Sequence, residues 1–204
     1  MNVSQPENAK PDFDGFFWIN QPGKFSIQDG IITINTDPGT DFWQRTYYGF
    51  RNDNGHAFLT EMEGDFTFSV KTSFDPYILY DQCGIVLYQD SDNWIKASVE
   101  YETKEYSRLG SVVTSLGYSD WASSDISSSI KTVWYRLSRR GQDFLIENSY
   151  DGKIFSQIRM LHFHLPLTSV RAGIYACSPG ESVFKAQFSE LKIDICRWQA
   201  HNEN

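Results

Sequence analysis

Cysteine is scarce in this chain: three in 204 residues, Cys83, Cys177 and Cys196. The number is odd and no spacing is that of a metal-ligand motif, so a disulfide framework and a zinc site are both disfavoured. Buried reduced thiols are the expectation, with a Cys177–Cys196 bridge as the pairing left open. Basic charge is short as well. Eighteen Lys and Arg stand against 26 Asp and Glu, a formal net charge of −8. Such a chain repels phosphate backbones, and nucleic acid is not an expected partner. No window approaches the roughly 20 apolar residues of a membrane span. Residues 1–14 lack the basic start and apolar run of a signal peptide. A cytoplasmic protein with no membrane partner is therefore expected. Sustained helical periodicity is missing too, and only residues 123–130 are compatible with a helical turn. There is no Gly-rich phosphate loop, nucleophile elbow or Ser-His-Asp arrangement, and no cofactor is expected.

What the chain has is aromatics, 16% of it, as 15 Phe, 11 Tyr and 6 Trp. Such residues favour strands and also make stacking platforms. Strand signals recur at short intervals from Phe16 onward. Residues 25–27 and 31–35 bracket an Asp29-Gly30 hairpin turn, and residues 36–41 read as a Pro-Gly loop. Phe66, Phe68, Val70 and Thr72 alternate along residues 65–74. Further strands are predicted at 82–89, 93–101, 111–114, 134–139, 142–149, 155–161, 170–176 and 183–194, with Arg140-Gly141 and Asp151-Gly152 as tight turns. Length and pattern predict one all-β domain of two antiparallel sheets packed face to face over residues 13–197. A loose N-terminal segment (1–12) and a C-terminal tail (198–204) flank it.

The most informative stretch is residues 80–101. Its first strand sets Cys83, Ile85 and Leu87 on one face, with Gln82, Gly84 and Val86 on the other. Its second sets Ile95, Ala97, Val99 and Tyr101 against Trp94, Lys96, Ser98 and Glu100. If the apolar faces point inward, Gln82, Trp94, Lys96, Ser98 and Glu100 share the outer face. Sugars are recognised by that mixture: rings stack on aromatic faces, while carboxylate, amide and ammonium groups bond hydroxyls. The plain alternative is a solvated face with a Lys96–Glu100 pair. A second constellation joins Asp41 and Trp43 with Asp120 and Trp121, the latter two on a loop after the Val113 strand. Two Asp-aromatic pairs on loops suit the mouth of a groove, although a loop Trp serves equally to plug a sandwich end. Tyr47, Tyr48 and His56 lie close by in sequence. His162 and His164 have ligand-like spacing but no acidic neighbour in sequence, and are expected to be solvated with Phe163 inward. A calcium ion on Asp37, Asp41 or Asp151 is compatible with a lectin-like fold, though no carboxylate-rich loop demands it. No metal site is assigned.

Nine short motifs in order resemble the family known as domain of unknown function 1349, with a concanavalin A-like lectin/glucanase jelly roll. They are Asp41-Phe42-Trp43, Gly64-Asp65-Phe66, Tyr80-Asp81-Gln82-Cys83-Gly84, Trp94-Ile95-Lys96, Glu100, Val112-Val113-Thr114, Ser119-Asp120-Trp121, Ser149-Tyr150-Asp151-Gly152 and Ala176-Cys177-Ser178-Pro179. Cys83 stands where many members would carry Ala. The resemblance covers about residues 15–195 and implies the fold more than a function. Many proteins of this fold bind or cleave polysaccharides on the concave sheet, and some family members are labelled regulators of enolase.

On this reading the concave sheet binds a carbohydrate or another polyhydroxylated small molecule. Trp43, Trp94 and Trp121 offer faces for stacking. Gln82, Lys96, Glu100 and Asp120 bond hydroxyls or a sugar carboxylate, with Thr114 and Arg159 as lesser candidates. Lys96 would favour an acidic sugar. The first rival is a glycosidase with Glu100 as base or nucleophile and Asp120 as acid. Such enzymes need two carboxylates about 5–5.5 Å or roughly 6.5–9.5 Å apart. The Glu-x-Asp-x-x-Glu pattern common in glycanases of this fold is missing. Glu100 with Glu102 is the nearest substitute on one strand, although Glu102, at the strand end, is expected to be solvated. The second rival is a protein that binds a metabolic enzyme through its aromatic loops.

Overall fold

The computed structural model describes residues 13–199. The expected loose segment 1–12, the end of the expected tail and His201 lie outside the described residues. The chain opens with β1 (Phe16–Ile19), β2 (Lys24–Gln28) and β3 (Ile31–Asn35). Two three-residue strands, β4 (Phe42–Gln44) and β5 (Arg51–Asp53), precede β6 (His56–Glu63) and β7 (Phe66–Phe74). Then come β8 (Gln82–Asp90), β9 (Asn93–Tyr101), β10 (Tyr106–Ser115) and β11 (Tyr118–Ser127). The described chain closes with β12 (Thr132–Arg140), β13 (Asp143–Ser149), β14 (Ser156–His162), β15 (Ser169–Cys177) and β16 (Lys185–Ile195).

These strands form two antiparallel sheets. The first runs β1-β6-β15-β8-β9-β10-β11 and the second β14-β13-β12-β7-β16-β3-β2, while β4 and β5 pair only with each other. Turn chemistry sets the hairpin registers. Asp29 and Gly30 take φ of 51° and 76°, and Leu116 and Gly117 take 51° and 76°, the left-handed pair that matches the twist of flanking strands. At Asp151-Gly152 the expected tight hairpin is instead a loop from 150 to 155. There the Asp151 carboxylate accepts from the amides of Lys153 and Ile154, which holds its pKa down at about 2. Local side-chain bonding has displaced the two-residue turn.

Between the sheets lies the main core. It includes Phe68 and Val70 of β7, Ile85 and Leu87 of β8, Ile95 and Val99 of β9, and Leu137 and Ile146 of the second sheet. Each such side chain contributes about 1.5–3 kcal/mol on burial. The alternate residues of the first sheet are apolar too. Ala57, Leu59, Val86, Tyr88, Trp94, Val112, Tyr175 and Cys177 form a second cluster on its outer face, with Phe42 packed onto them. The β4–β5 hairpin is therefore a flap, and it converts part of an outer face into core.

Residues 118–127, partly expected as loop and helical turn, are the edge strand β11. Ser123 and Ser124 pair with Gly110 and Leu109 of β10, and this pairing absorbs a segment with no helical periodicity of its own. Cys83, Cys177 and Cys196 are all free thiols, so the bridge left open by the sequence is not made. Phe163 is buried as expected. His162, however, has an acid beside it: its Nδ1 lies 2.6 Å from Oδ1 of Asp143, its cross-strand partner. Among the described residues no three His, Cys, Asp or Glu side chains group to hold a metal.

Candidate functional site

A cleft of about 330 Å³ opens on the outer face of the first sheet, beside the flap. This is the size range of small-molecule sites. Strand alternation builds its floor, because Gln82 pairs with Glu100, and Lys96 with both Val86 and Val112. Val112 in turn pairs with Trp121. Period-2 geometry therefore sends Gln82, Lys96, Glu100, Val112 and Trp121 to one side. The flap adds Asp41, Trp43, Tyr48, Phe50 and Asn52, and the loop before β8 adds Tyr80.

The floor is one hydrogen-bonded network. Lys96 Nζ donates to the Phe42 carbonyl (2.8 Å) and to Gln82 Oε1 (2.9 Å), and lies 3.5 Å from Asp41 Oδ1. Tyr175 also donates its hydroxyl to Gln82 Oε1, at 3.0 Å. The other end of the Gln82 amide donates to the Tyr80 carbonyl (3.3 Å) and to Glu100 Oε2 (3.0 Å). Lys96 and Glu100 thus form no direct ion pair; the Gln82 amide stands between them. Asp41 is fixed in turn, its Oδ1 accepting from the Phe42 amide at 2.8 Å.

The flap is tied down at several points. The Gln44 amide donates to Ser119 Oγ (2.9 Å), Arg51 bonds Gln44 Oε1 (2.9 Å) and Asp92 (2.7 Å), and Arg45 reaches the Gly117 carbonyl (3.0 Å). Its tip is a run of touching rings. Trp43 meets Tyr48 edge-on, Tyr47 meets Tyr48, and Tyr48 stacks on Phe50 with centroids 5.5 Å apart.

Burial raises the Glu100 carboxyl from its usual 4.5 to about 7. Asp41 and Glu102 push the same way, while Lys96 and Arg108 pull it down. A folded-state pKa above the unfolded one means the folded chain binds the proton more tightly. Stability therefore falls as pH rises from about 4.5 to about 7 and stays at the lower level above. The Glu100→Gln variant should flatten that slope and be more stable than wild type at pH 8 by on the order of 2 kcal/mol. Chemical denaturation at pH 5 and pH 8 measures this, and parallel pH slopes in the two proteins would refute it.

Six residues expected in the site are in the cleft: Asp41, Trp43, Gln82, Lys96, Glu100 and Trp121. Other candidates are not. Trp94 is fully buried, its ring 5.8 Å from that of Phe42 and its Nε1 bonded to the Ser91 carbonyl, so no sugar can stack on it. Thr114 is fully buried and shares a 2.7 Å hydrogen bond with Ser119. Asp120 alternates to the opposite side from Trp121 and pairs at 2.9 Å with Arg159, which comes from β14 of the other sheet. The Glu100–Asp120 catalytic pair is thus split between two faces. Glu102 is not solvated but ion-paired with Arg108 at 2.6 Å. His56, considered for the groove, is buried. It accepts from the Asp37 amide at Nε2 and bonds the Asn20 carbonyl through Nδ1.

Tyr48, Phe50, Asn52 and Tyr80 complete the walls. Phe50 and Asn52 are not singled out by the sequence, Tyr80 enters only as part of a family motif, and Tyr48 only as a neighbour. The available signal was Val86, Tyr88 and Trp94 on the supposedly polar face. A strand apolar on both faces is covered on both faces, and the segment around Phe42 was there to cover it.

Fold and cleft together define the class: a two-sheet antiparallel β-sandwich of jelly-roll type with an aromatic-walled pocket on one outer face. Residues 18–196 match the family described as "Protein of unknown function (DUF1349)", and the chain belongs to that family. It is 33% identical over 177 residues to Regulation of enolase protein 1 of Saccharomyces cerevisiae, covering 86% of this chain and 87% of the yeast protein. A crystal structure of a functionally unknown protein from Saccharomyces cerevisiae superposes with a TM-score of 0.84 at 31% identity, over 91% of this chain and 98% of that one. The GH43 protein BlXynB from Bacillus licheniformis superposes with a TM-score of 0.71 at 18% identity. This chain matches over 96% of its own length and 40% of that protein, a likeness of fold.

Proposed function

We propose that the outer-face cleft binds a carbohydrate or another polyhydroxylated small molecule and does not cleave it. One observation carries the reading: five rings, Trp43, Tyr48, Phe50, Tyr80 and Trp121, line the cleft together with the polar side chains of Asp41, Asn52, Gln82, Lys96 and Glu100. Pyranose faces stack on rings, and amide and carboxylate groups bond hydroxyls. The occurrence of the same sandwich within GH43 proteins makes sugars the first ligands to test. Binding is favoured over hydrolysis because Glu100 has no second carboxylate free to act with it. Asp120 is on the other face, and Asp41 is held by Lys96 and the Phe42 amide.

The test is a soluble-sugar thermal-shift screen followed by titration calorimetry on any hit. Trp121→Ala should weaken a hit at least tenfold, the size of a lost stacking contact of about 1.5 kcal/mol. Asp120→Asn should leave it unchanged. A screen without hits across neutral, acidic and amino sugars would end the reading.

A second reading has its own observation. Tyr47 at the flap tip is 94% exposed, and Tyr48, Phe50, Tyr77 and Leu79 are exposed as well, as aromatic contact residues of protein interfaces are. The similar yeast protein is named for regulation of enolase, so purified enolase is the partner to titrate. Affinity lost in Tyr47→Ala would support a docking tip, and absence of binding to wild type would remove it.

A further inference from the structure

Charge in the cleft is one-sided once each group's partners are counted. Lys96 is the one cation among the lining residues. An ammonium has three N–H donors, and those of Lys96 face the Phe42 carbonyl, Gln82 Oε1 and the Asp41 carboxylate. None is left for an incoming anion. Arg108 stands at the rim, 5.7 Å from the Trp121 ring, but its guanidinium is held by Glu102 at 2.6 Å and Asp125 at 3.3 Å.

The carboxylates outnumber that cation. Asp41 answers Lys96, which leaves Glu100, bonded by Gln82 alone among the described residues. A carboxylate without an ion pair, below rings whose faces are negative, is the recognition chemistry of a cation. The overall charge of −8 adds attraction of the same sign at long range.

We infer that the ligand of this cleft carries a positively charged nitrogen, as an amino sugar or polyhydroxylated amine does, and that its ammonium pairs with Glu100 among the rings of Trp43, Tyr48, Phe50, Tyr80 and Trp121. The inference rests on the ligand-binding reading above and names the ligand's charge. It also reverses the expectation that Lys96 would select an acidic sugar.

A pH signature follows. Glu100 is faced by Lys96 from β9, Glu102 just beyond it, Arg108 from β10, Asp41 and Tyr48 from the flap, Tyr80 from the loop before β8, and Tyr175 and Cys177 from β15. With its carboxyl at about 7, a cation arriving at Glu100 displaces a proton near neutrality.

The experiment is calorimetry of the full chain at pH 7 with glucose, glucosamine and glucuronate, and with galactose, galactosamine and galacturonate. Each set is one pyranose in neutral, cationic and anionic form. The amino sugar of one set should bind at least tenfold tighter than its neutral parent, with the uronate weakest, and Glu100→Gln should erase the preference. Choline, charged at every pH, should bind wild type more tightly at pH 8 than at pH 6, and Glu100→Gln equally at both. If a neutral sugar or uronate binds as well as the amino sugar and Trp121→Ala abolishes it, the charge inference falls and the sugar reading stands. If no sugar binds, both fall.

Discussion

Lys96→Met should cost the folded chain about 3–5 kcal/mol, the range for breaking a buried pair by removing one partner. The side chain is 4% exposed, and its loss leaves the Asp41 carboxylate without its counter-charge and the Phe42 carbonyl without its donor. Met fills much the same volume, so the penalty is electrostatic rather than a cavity. Tm should fall on the order of 10 °C in a domain of this size. Asp41→Asn keeps an acceptor near Lys96 and should cost less. Equilibrium urea denaturation of the three proteins is the measurement. A loss under about 1 kcal/mol for Lys96→Met would place its ammonium in water, as for a surface pair, and would dissolve the account of the cleft floor.

Phe42→Ala should have an effect of similar size by another route. Phe42 is fully buried, with its ring 5.8 Å from Tyr88, 5.8 Å from Trp94 and 6.2 Å from Tyr175. Gly55 leaves space for it, since a Cβ there would lie 2.5 Å from a Phe42 ring carbon. Deleting a buried Phe ring costs about 3–5 kcal/mol. This ring also fastens the flap to the sheet, so the variant should lose ligand affinity and show red-shifted fluorescence as Trp94 meets water. Unchanged emission with unchanged stability would mean that the flap is not part of the core.

The sandwich was largely legible because most strands bury one face and carry turn signals at their ends. Asp29-Gly30 and the alternation from Phe66 to Thr72 fall in this group. β6 was not legible, since Ala57 and Leu59 pack under the flap while Phe58 and Met62 pack between the sheets, which removes the alternation. β11 was hidden for the opposite reason: at the edge of its sheet it is mostly exposed and carries Ser and Asp in place of an apolar stripe. The site was legible as far as strand alternation reaches, which is Gln82, Lys96 and Glu100. It failed at Trp94 because Phe42, which packs on it, comes from β4, a three-residue strand too short for a periodic signal, and at Thr114 because its hydroxyl is taken up by Ser119 of β11. Asp120 failed because a loop has no alternation and a strand does. One residue from Trp121, it points away from Trp121.

Burial pushes the thiols of Cys83 and Cys177 well above their ordinary pKa, and the two sit on opposite sides of the same sheet. Cys83 lies in the core between the sheets, Cys177 in the cluster beneath the flap. The chain therefore carries two clocks for alkylation. Lifting the flap exposes Cys177 to reagent while Cys83 stays closed, whereas unfolding the whole domain exposes both. The ratio of their labelling rates separates the opening of the pocket's roof from unfolding of the domain.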